Sequence, residues 1–280
     1  MEIRKNIILN REDKKPILID VFFQKEVINQ PIVVFCHGYK GFKDWGAWNL
    51  MAESIAKAGV CFVKFNFSHN GGTVDNPIDF PDLEAFGNNN YTKELDDVSD
   101  VISWVETYFK NVDNVNTNAI NLIGHSRGGG IAILKASEDT RIKKLITLAS
   151  VSDFGSRTAT IGDLKEWKEA GVKFVLNGRT KQKMPHYYQF YTDFKANETH
   201  LDIKSATRKL KIPYLIIHGD IDTSISINEA ENLHQWNPKS EFKIINGADH
   251  VFNTKHPWIF QKLSDQLKTV VETILDFLDK

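Results

Sequence analysis

The stretch Ala119-Ile120-Asn121-Leu122-Ile123-Gly124-His125-Ser126-Arg127-Gly128 decides the fold. It sets an apolar, strand-like run directly against a G-x-S-x-G turn, and Ile131-Ala132-Ile133-Leu134-Lys135-Ala136 then continues as a helix former. A strand that turns abruptly into a helix holds its apex residue in a strained conformation, and only small neighbours leave room for it. Gly124 and Gly128 supply the room, and Ser126 takes the apex. A phosphate-binding P-loop would need Lys and then Ser or Thr after the second glycine, whereas Gly129 is followed by Gly130 and Ile131. A dinucleotide fingerprint starting at Gly124 or Gly128 lacks its third glycine.

Outward from this turn, short apolar runs alternate with helical segments, the pattern of a mainly parallel sheet covered by helices on both faces. Strands are expected near residues 17–23, 31–36, 60–66, 119–123, 143–149, 212–217 and 241–246, and the first 16 residues read as an edge strand followed by a polar turn. Val33-Val34-Phe35 and Leu215-Ile216-Ile217 leave no polar face, as suits strands buried on both sides. Tyr91, Leu95, Val98, Ile102, Val105 and Phe109 recur at helical spacing, as do Phe260, Leu263, Leu267, Val270, Ile274 and Leu278.

At 280 residues the chain suits one domain, 1–280, and the alternation breaks only at 153–206, which reads as an insertion. Within it, Asn177-Gly178 lies between two strand-like arms and predicts a tight hairpin over 173–180, ended by Met184-Pro185. Tyr187, Tyr188, Phe190, Tyr191 and Phe194 follow, most of them expected to pack the insertion down and one or two to reach a substrate.

The formal net charge of -1 gives no reason to expect nucleic acid or an anionic membrane as partner, so a small neutral molecule is expected. The charged N-terminus has no apolar core of signal-peptide length and no later run approaches a membrane span, so a cytoplasmic protein is expected. Cys36 and Cys61 each fall inside an apolar run and read as buried free thiols.

A serine hydroxyl is a poor nucleophile near neutral pH and needs a base, itself oriented by an acid. Nine histidines compete. His37, His125 and His218 sit at strand ends or in the turn itself, and His69, His186, His200, His234 and His256 lie in polar or helical segments without a turn signal. His250 ends Asn246-Gly247-Ala248-Asp249-His250, a turn just past the last strand, which delivers it to the carboxyl edge of the sheet. Asp249 reads as a turn former. The acid is expected in the loop after the preceding strand, His218-Gly219-Asp220-Ile221-Asp222, where either carboxylate can serve.

With these residues in hand, the chain resembles the α/β-hydrolase family, whose triad runs in the order Ser, acid, His. It looks most like small bacterial serine esterases of the cinnamoyl or feruloyl kind and like dienelactone-hydrolase-related proteins, although a dienelactone hydrolase proper carries cysteine where Ser126 stands. The resemblance implies an α/β-hydrolase fold with a small cap insertion. It also selects Asp222, the fifth residue of an H-G-x-x-D loop, over Asp220, which then braces the loop. It implies an oxyanion hole made by the backbone amides of Arg127 and of Tyr39, in His37-Gly38-Tyr39-Lys40-Gly41. The loop from Phe65 to Gly72 is longer than a simple turn, and is expected to be structural or to shape the alcohol side of the pocket.

The implied activity is hydrolysis of carboxylic esters of small to medium acyl groups through an acyl-enzyme, with no metal and no organic cofactor. The same machinery serves amides, peptides and carbon-carbon bonds; a peptidase needs a site for a charged terminus, for which Arg157, Arg179 and Arg208 are candidates against the ordinary reading as solvated surface charge. A ligand-binding protein that keeps the fold without turnover is the rival from another class.

Overall fold

The computed structural model describes residues 1–280. Ten strands run in chain order as β1 (Glu2–Arg11), β2 (Lys14–Phe23), β3 (Gln30–Cys36), β4 (Cys61–Phe65), β5 (Val115–His125), β6 (Ile142–Leu148), β7 (Val172–Leu176), β8 (Lys183–Tyr187), β9 (Tyr214–Gly219) and β10 (Glu241–Ile245). The helices are α1 (Trp48–Lys57), α2 (Leu83–Gly87), α3 (Tyr91–Tyr108), α4 (Arg127–Glu138), α5 (Phe154–Ala159), α6 (Leu164–Ala170), α7 (Gln189–Ala196), α8 (Ile203–Lys209), α9 (Ile227–Trp236) and α10 (Asp265–Asp279).

Eight strands form one sheet in the order β1-β2-β4-β3-β5-β6-β9-β10. The pairs β1·β2 and β2·β4 are antiparallel, and from β4 to β10 every pair is parallel. Along β3, Ile32, Val34 and Cys36 enter the core beneath α3 and α4, while Val33 and Phe35 enter the core beneath α1 and α10. The strand has no polar face because neither of its faces meets water. Cys36 and Cys61 are free, buried thiols raised well above the ordinary thiol range by that burial.

Helix α3 begins where Asn90 accepts from the Lys93 amide, and its buried face carries Tyr91, Leu95, Val98, Ile102 and Val105. The last helix starts later than its apolar spacing suggests. Ser264 caps it by accepting from the Leu267 amide, which sets the first turn at Asp265 and leaves Phe260 half exposed, outside the helix.

Between β6 and β9 the chain leaves the sheet and makes α5, α6, the two-stranded β7·β8 ribbon, α7 and α8. The hairpin differs from its expected form. Leu176 pairs with Lys183, so six residues, 177–182, connect the arms, and the second arm runs through Met184-Pro185 instead of stopping there. The Asn177 side chain accepts from the Arg179 and Thr180 amides, which folds the connection into a wider Asx turn. Pro185 is tolerated because β8 has a neighbour on one side only. No helix of the chain is long and apolar enough to cross a membrane.

Candidate active site

Three carboxyl-end loops of the parallel strands converge on the turn after β5, the position where open α/β sheets place their sites. Ser126 stands at the apex with φ 56° and ψ -121°, a conformation an L-residue adopts only when its surroundings enforce it. Its amide donates to the Leu148 carbonyl at 2.9 Å and its carbonyl accepts from Gly129. Gly128 makes the turn possible by close approach: a Cβ there would stand 2.4 Å from the carbonyl oxygens of both Cys36 and His37. Gly38 does the same from the facing loop, where a Cβ would stand 2.9 Å from Ser126 Cβ.

That loop, which follows β3, carries Tyr39, whose amide donates to no protein acceptor. The Arg127 amide opens α4 and has no intrahelical partner. The loop is pinned from behind. Lys43 and Lys64 lie buried between Asp20 and Asp44, with Nζ-to-oxygen distances of 2.6 to 2.9 Å. His37 donates from Nδ1 to the Gly38 carbonyl and accepts at Nε2 from the Phe67 amide. Burial holds this ring neutral, down at about 4. Residues 65–72 brace the loop through Asn66 and Asn70, which accept from or donate to Lys43 and Gly41. They line neither cavity that reaches Ser126.

His250 and Asp222 meet as expected, with Nδ1 donating to Oδ2 at 2.8 Å. The Asp222 carboxylate has no exposed side-chain surface. Its other oxygen accepts from the Ser224 and Ile225 amides, and His218 Nε2 approaches Oδ2 at 3.4 Å while donating to the Ile225 carbonyl. Burial alone would raise this acid, but the hydrogen bonds from His218 and His250 outweigh it and hold it well below the ordinary carboxylate range. Asp220 instead accepts from the Gly247 amide and ties the two loops together, and Asp249 accepts from Val251 and Asn253 within its own turn.

Ser126 and His250 line one cavity of 330 Å³ together with Tyr39, Arg127, Tyr91 and Phe154, and a smaller one of 140 Å³ with Trp45 and Trp48 on the other side. No hydrogen bond joins the Ser126 hydroxyl to the ring; nucleophile-base contacts of this kind commonly close only around bound substrate. Val151, Arg157, Thr160, Ile161 and Val175 complete the larger cavity, so the segment after β6 roofs it. None of Tyr187, Tyr188, Phe190, Tyr191 and Phe194 lines it, contrary to the expectation for one or two of them. Phe190 and Phe194 pack on Tyr91 instead, and the aromatic lining comes from Tyr39, Tyr91 and Phe154. Of the three arginines, only Arg157 reaches the cavity; Arg179 pairs with Asp79.

Two histidines passed over in the sequence also serve the site. His125 donates from Nε2 to the His250 carbonyl at 2.9 Å, its ring 4.8 Å from that of His250, and burial lowers it to about 3. His186, on β8, meets the Tyr39 hydroxyl at 3.0 Å and is likewise lowered by burial to about 3. No local pattern announces either contact. No group of three or more His, Cys, Asp or Glu side chains is arranged to hold a metal ion.

Residues 87–254, more than half of the chain, match the family described as the alpha/beta hydrolase fold, and the chain belongs to that family. Among solved structures it is similar to Est1E from Butyrivibrio proteoclasticus with ferulic acid bound, at TM-score 0.73 and 19% identity over 97% of each chain. It is also similar to a dienelactone hydrolase from Anabaena variabilis, at TM-score 0.63 and 13% identity over 100% of this chain and 98% of that one. A curated relative, the uncharacterized peptidase YtmA of Bacillus subtilis (strain 168), is 29% identical over 147 residues, 51% of this chain and 51% of the relative. The chain spans about half the length of the curated relatives it matches.

Proposed function

We propose that the protein is a serine hydrolase that cleaves carboxylic esters of small to medium acyl groups. What carries the reading is the conjunction at one cavity of a strained elbow serine, a histidine bonded at 2.8 Å to a buried carboxylate, and two amides without acceptors beside the serine. Ser126 attacks the ester carbonyl while His250 takes its proton; Asp222 holds the ring in the Nδ1–H tautomer and stabilises the imidazolium. The amides of Tyr39 and Arg127 receive the oxyanion, a contribution worth about 100- to 1,000-fold in rate per donor. His250 returns the proton to the departing alcohol and then activates water against the acyl-enzyme. These steps use no metal or organic cofactor, and the partner is a small-molecule ester.

The esterase names among the structural neighbours support the ester reading, and the peptidase name of the Bacillus relative supports the same triad acting on amides. Turnover of p-nitrophenyl acetate and butyrate by wild type and Ser126→Ala decides the nucleophile: the variant is expected to lose activity, and undiminished turnover refutes the assignment. Aminoacyl p-nitroanilides in the same panel separate the two bonds, because faster cleavage of the anilides overturns the ester reading in favour of a peptidase.

A further inference from the structure

Arg127 contributes its amide to the elbow, a role any residue type fills, yet its side chain is placed with care. The guanidinium lines the larger cavity beside Ser126 and is only 12% exposed. It carries five N–H donors. Its one protein anion is Glu94, at 3.5 Å, the far limit of a hydrogen bond. The Glu94 oxygen involved already accepts from Asn89 at 2.7 Å. Three rings also lie beside the guanidinium, Tyr39 at 4.2 Å, Tyr91 at 5.3 Å and Phe190 at 5.5 Å from the ring centroids. Ring faces hold the guanidinium plane in place without using its edge, and so leave its donors directed at a ligand.

The rest of this wall has the same sign. Arg157, from α5, pairs with Glu229 through one terminal nitrogen and keeps a buried Nε without any acceptor. Ser224 adds a hydroxyl, and Thr160 lines the same wall with its hydroxyl donating to the Arg157 carbonyl. Of the neighbouring acids, Glu229 is occupied by Arg157 and the Ser152 amide and Asp222 by His250, while Glu94 keeps one buried oxygen, Oε2, without a partner, and none of the three lines the cavity. A half-enclosed cavity lined by the Arg127 fork and by Arg157 with its unpartnered Nε, and by no Asp or Glu side chain, is complementary to an anion, and a planar fork of donors is complementary to a carboxylate in particular. At 330 Å³ it lies at the small end of ligand cavities.

We infer that this cavity selects small esters bearing a second, free carboxylate, which the Arg127 guanidinium grips while Ser126 attacks the ester carbonyl; the inference rests on the hydrolase reading above. The free carboxylate belongs to the acyl half or to the alcohol half, and the test has an arm for each. In the first, mono-p-nitrophenyl glutarate is compared with p-nitrophenyl pentanoate; in the second, 3-carboxypropyl butanoate is compared with butyl butanoate. Wild type is expected to favour the charged ester in one arm by about 10- to 100-fold in kcat/KM, the range for a charge-assisted contact left unmade by the neutral analogue. Arg127→Gln is expected to abolish that ratio chiefly through KM, and Arg127→Lys to keep part of it. Because the ratio compares two esters on one enzyme, a general loss of activity in a variant does not disguise the answer.

Calorimetric titration of Ser126→Ala with glutarate gives a readout free of turnover. Binding at one site, lost in Ser126→Ala/Arg127→Gln, is expected. Equal ratios in wild type and Arg127→Gln in both arms, or no glutarate binding, overturn the inference while leaving the hydrolase reading in place. If wild type leaves all four esters as untouched as Ser126→Ala does, the hydrolase reading fails, and the glutarate titration alone then supports or overturns the anion site.

Discussion

Acid should unfold this protein earlier than its near-neutral net charge suggests, because three histidines of the site are buried uncharged. Burial lowers His37 to about 4 and His125 and His186 to about 3, from an ordinary 6.5. Each therefore binds its proton only on unfolding over the interval between those values, so stability falls as pH drops below 6.5 until the native rings themselves protonate. At pH 5 each ring costs about 2 kcal/mol relative to neutral pH, or about 6 kcal/mol for three. Asp97 works the other way: burial raises it to about 6 despite Arg11, so the native state gains a proton first and recovers about 1.4 kcal/mol at pH 5. His69, lowered to about 4, and His256, lowered by burial, add to the loss, while Glu94, raised by burial, opposes it. His37, His125, His186 and Asp97 together give a loss of about 4 to 5 kcal/mol between pH 7 and pH 5, a large share of the ~5 to 15 kcal/mol that stabilises an ordinary domain. Urea unfolding followed by tryptophan fluorescence at both pH values measures it. His186→Gln should shrink the pH-dependent loss by about 2 kcal/mol, whatever it does to stability at pH 7. A chain equally stable at pH 5 and pH 7 would refute the reasoning.

Asp222→Asn is expected to leave the melting temperature near its wild-type value while kcat on a p-nitrophenyl ester falls by about 1,000- to 10,000-fold, the loss expected when the base is held in the wrong tautomer. Lys64→Met should destabilise the chain by about 3 to 5 kcal/mol in chemical denaturation, since Asp20 and Asp44 then share Lys43 alone in a buried site. Gly128→Ala drives a Cβ to 2.4 Å from two backbone carbonyls, neither able to swing aside, so a loss of more than about 3 kcal/mol or no folded protein is expected by circular dichroism; a wild-type melt would show the elbow looser than described.

What was legible in the sequence is what local geometry enforces. The elbow is read from its glycines because the backbone that excludes a side chain at Gly124, that of Gly128 and Gly129, lies within a turn of Ser126, whereas the Cys36 and His37 carbonyls that exclude one at Gly128 come from the facing loop. His250 is read from a strand end followed by a turn, whereas the loop after β9 leaves Asp220 and Asp222 both open and only the resemblance to the hydrolase family selects Asp222. The hairpin is longer than its sequence suggests because Asn-Gly is compatible with a two-residue turn, yet the Asn177 side chain, accepting from two amides, stabilises a longer one. The start of α10 was misjudged because Phe260 continues the apolar spacing, whereas Ser264 supplies the cap that fixes where the helix begins. His125 and His186 were illegible for a different reason: their partners lie 125 and 147 residues away, and nothing in the composition of either segment names the other.

Those long-range contacts change how the segment between β6 and β9 should be understood. As a roof over the cavity it needs only to cover, and apolar packing on Tyr91 would do that. Instead it reaches the oxyanion loop twice, through His186 to the Tyr39 hydroxyl and through the Leu176 carbonyl, which accepts from Lys40. The Tyr39 ring lies in turn over the Arg127 guanidinium. The two residues whose amides are proposed to hold the oxyanion are thus joined through their side chains, and one is anchored to the insertion. Amides placed to about half an ångström by such supports are what oxyanion stabilisation requires. A loop fixed only by its own backbone would have to find that geometry anew in each turnover, so under the proposed mechanism the insertion would preorganise the reaction centre as well as shape the space around it.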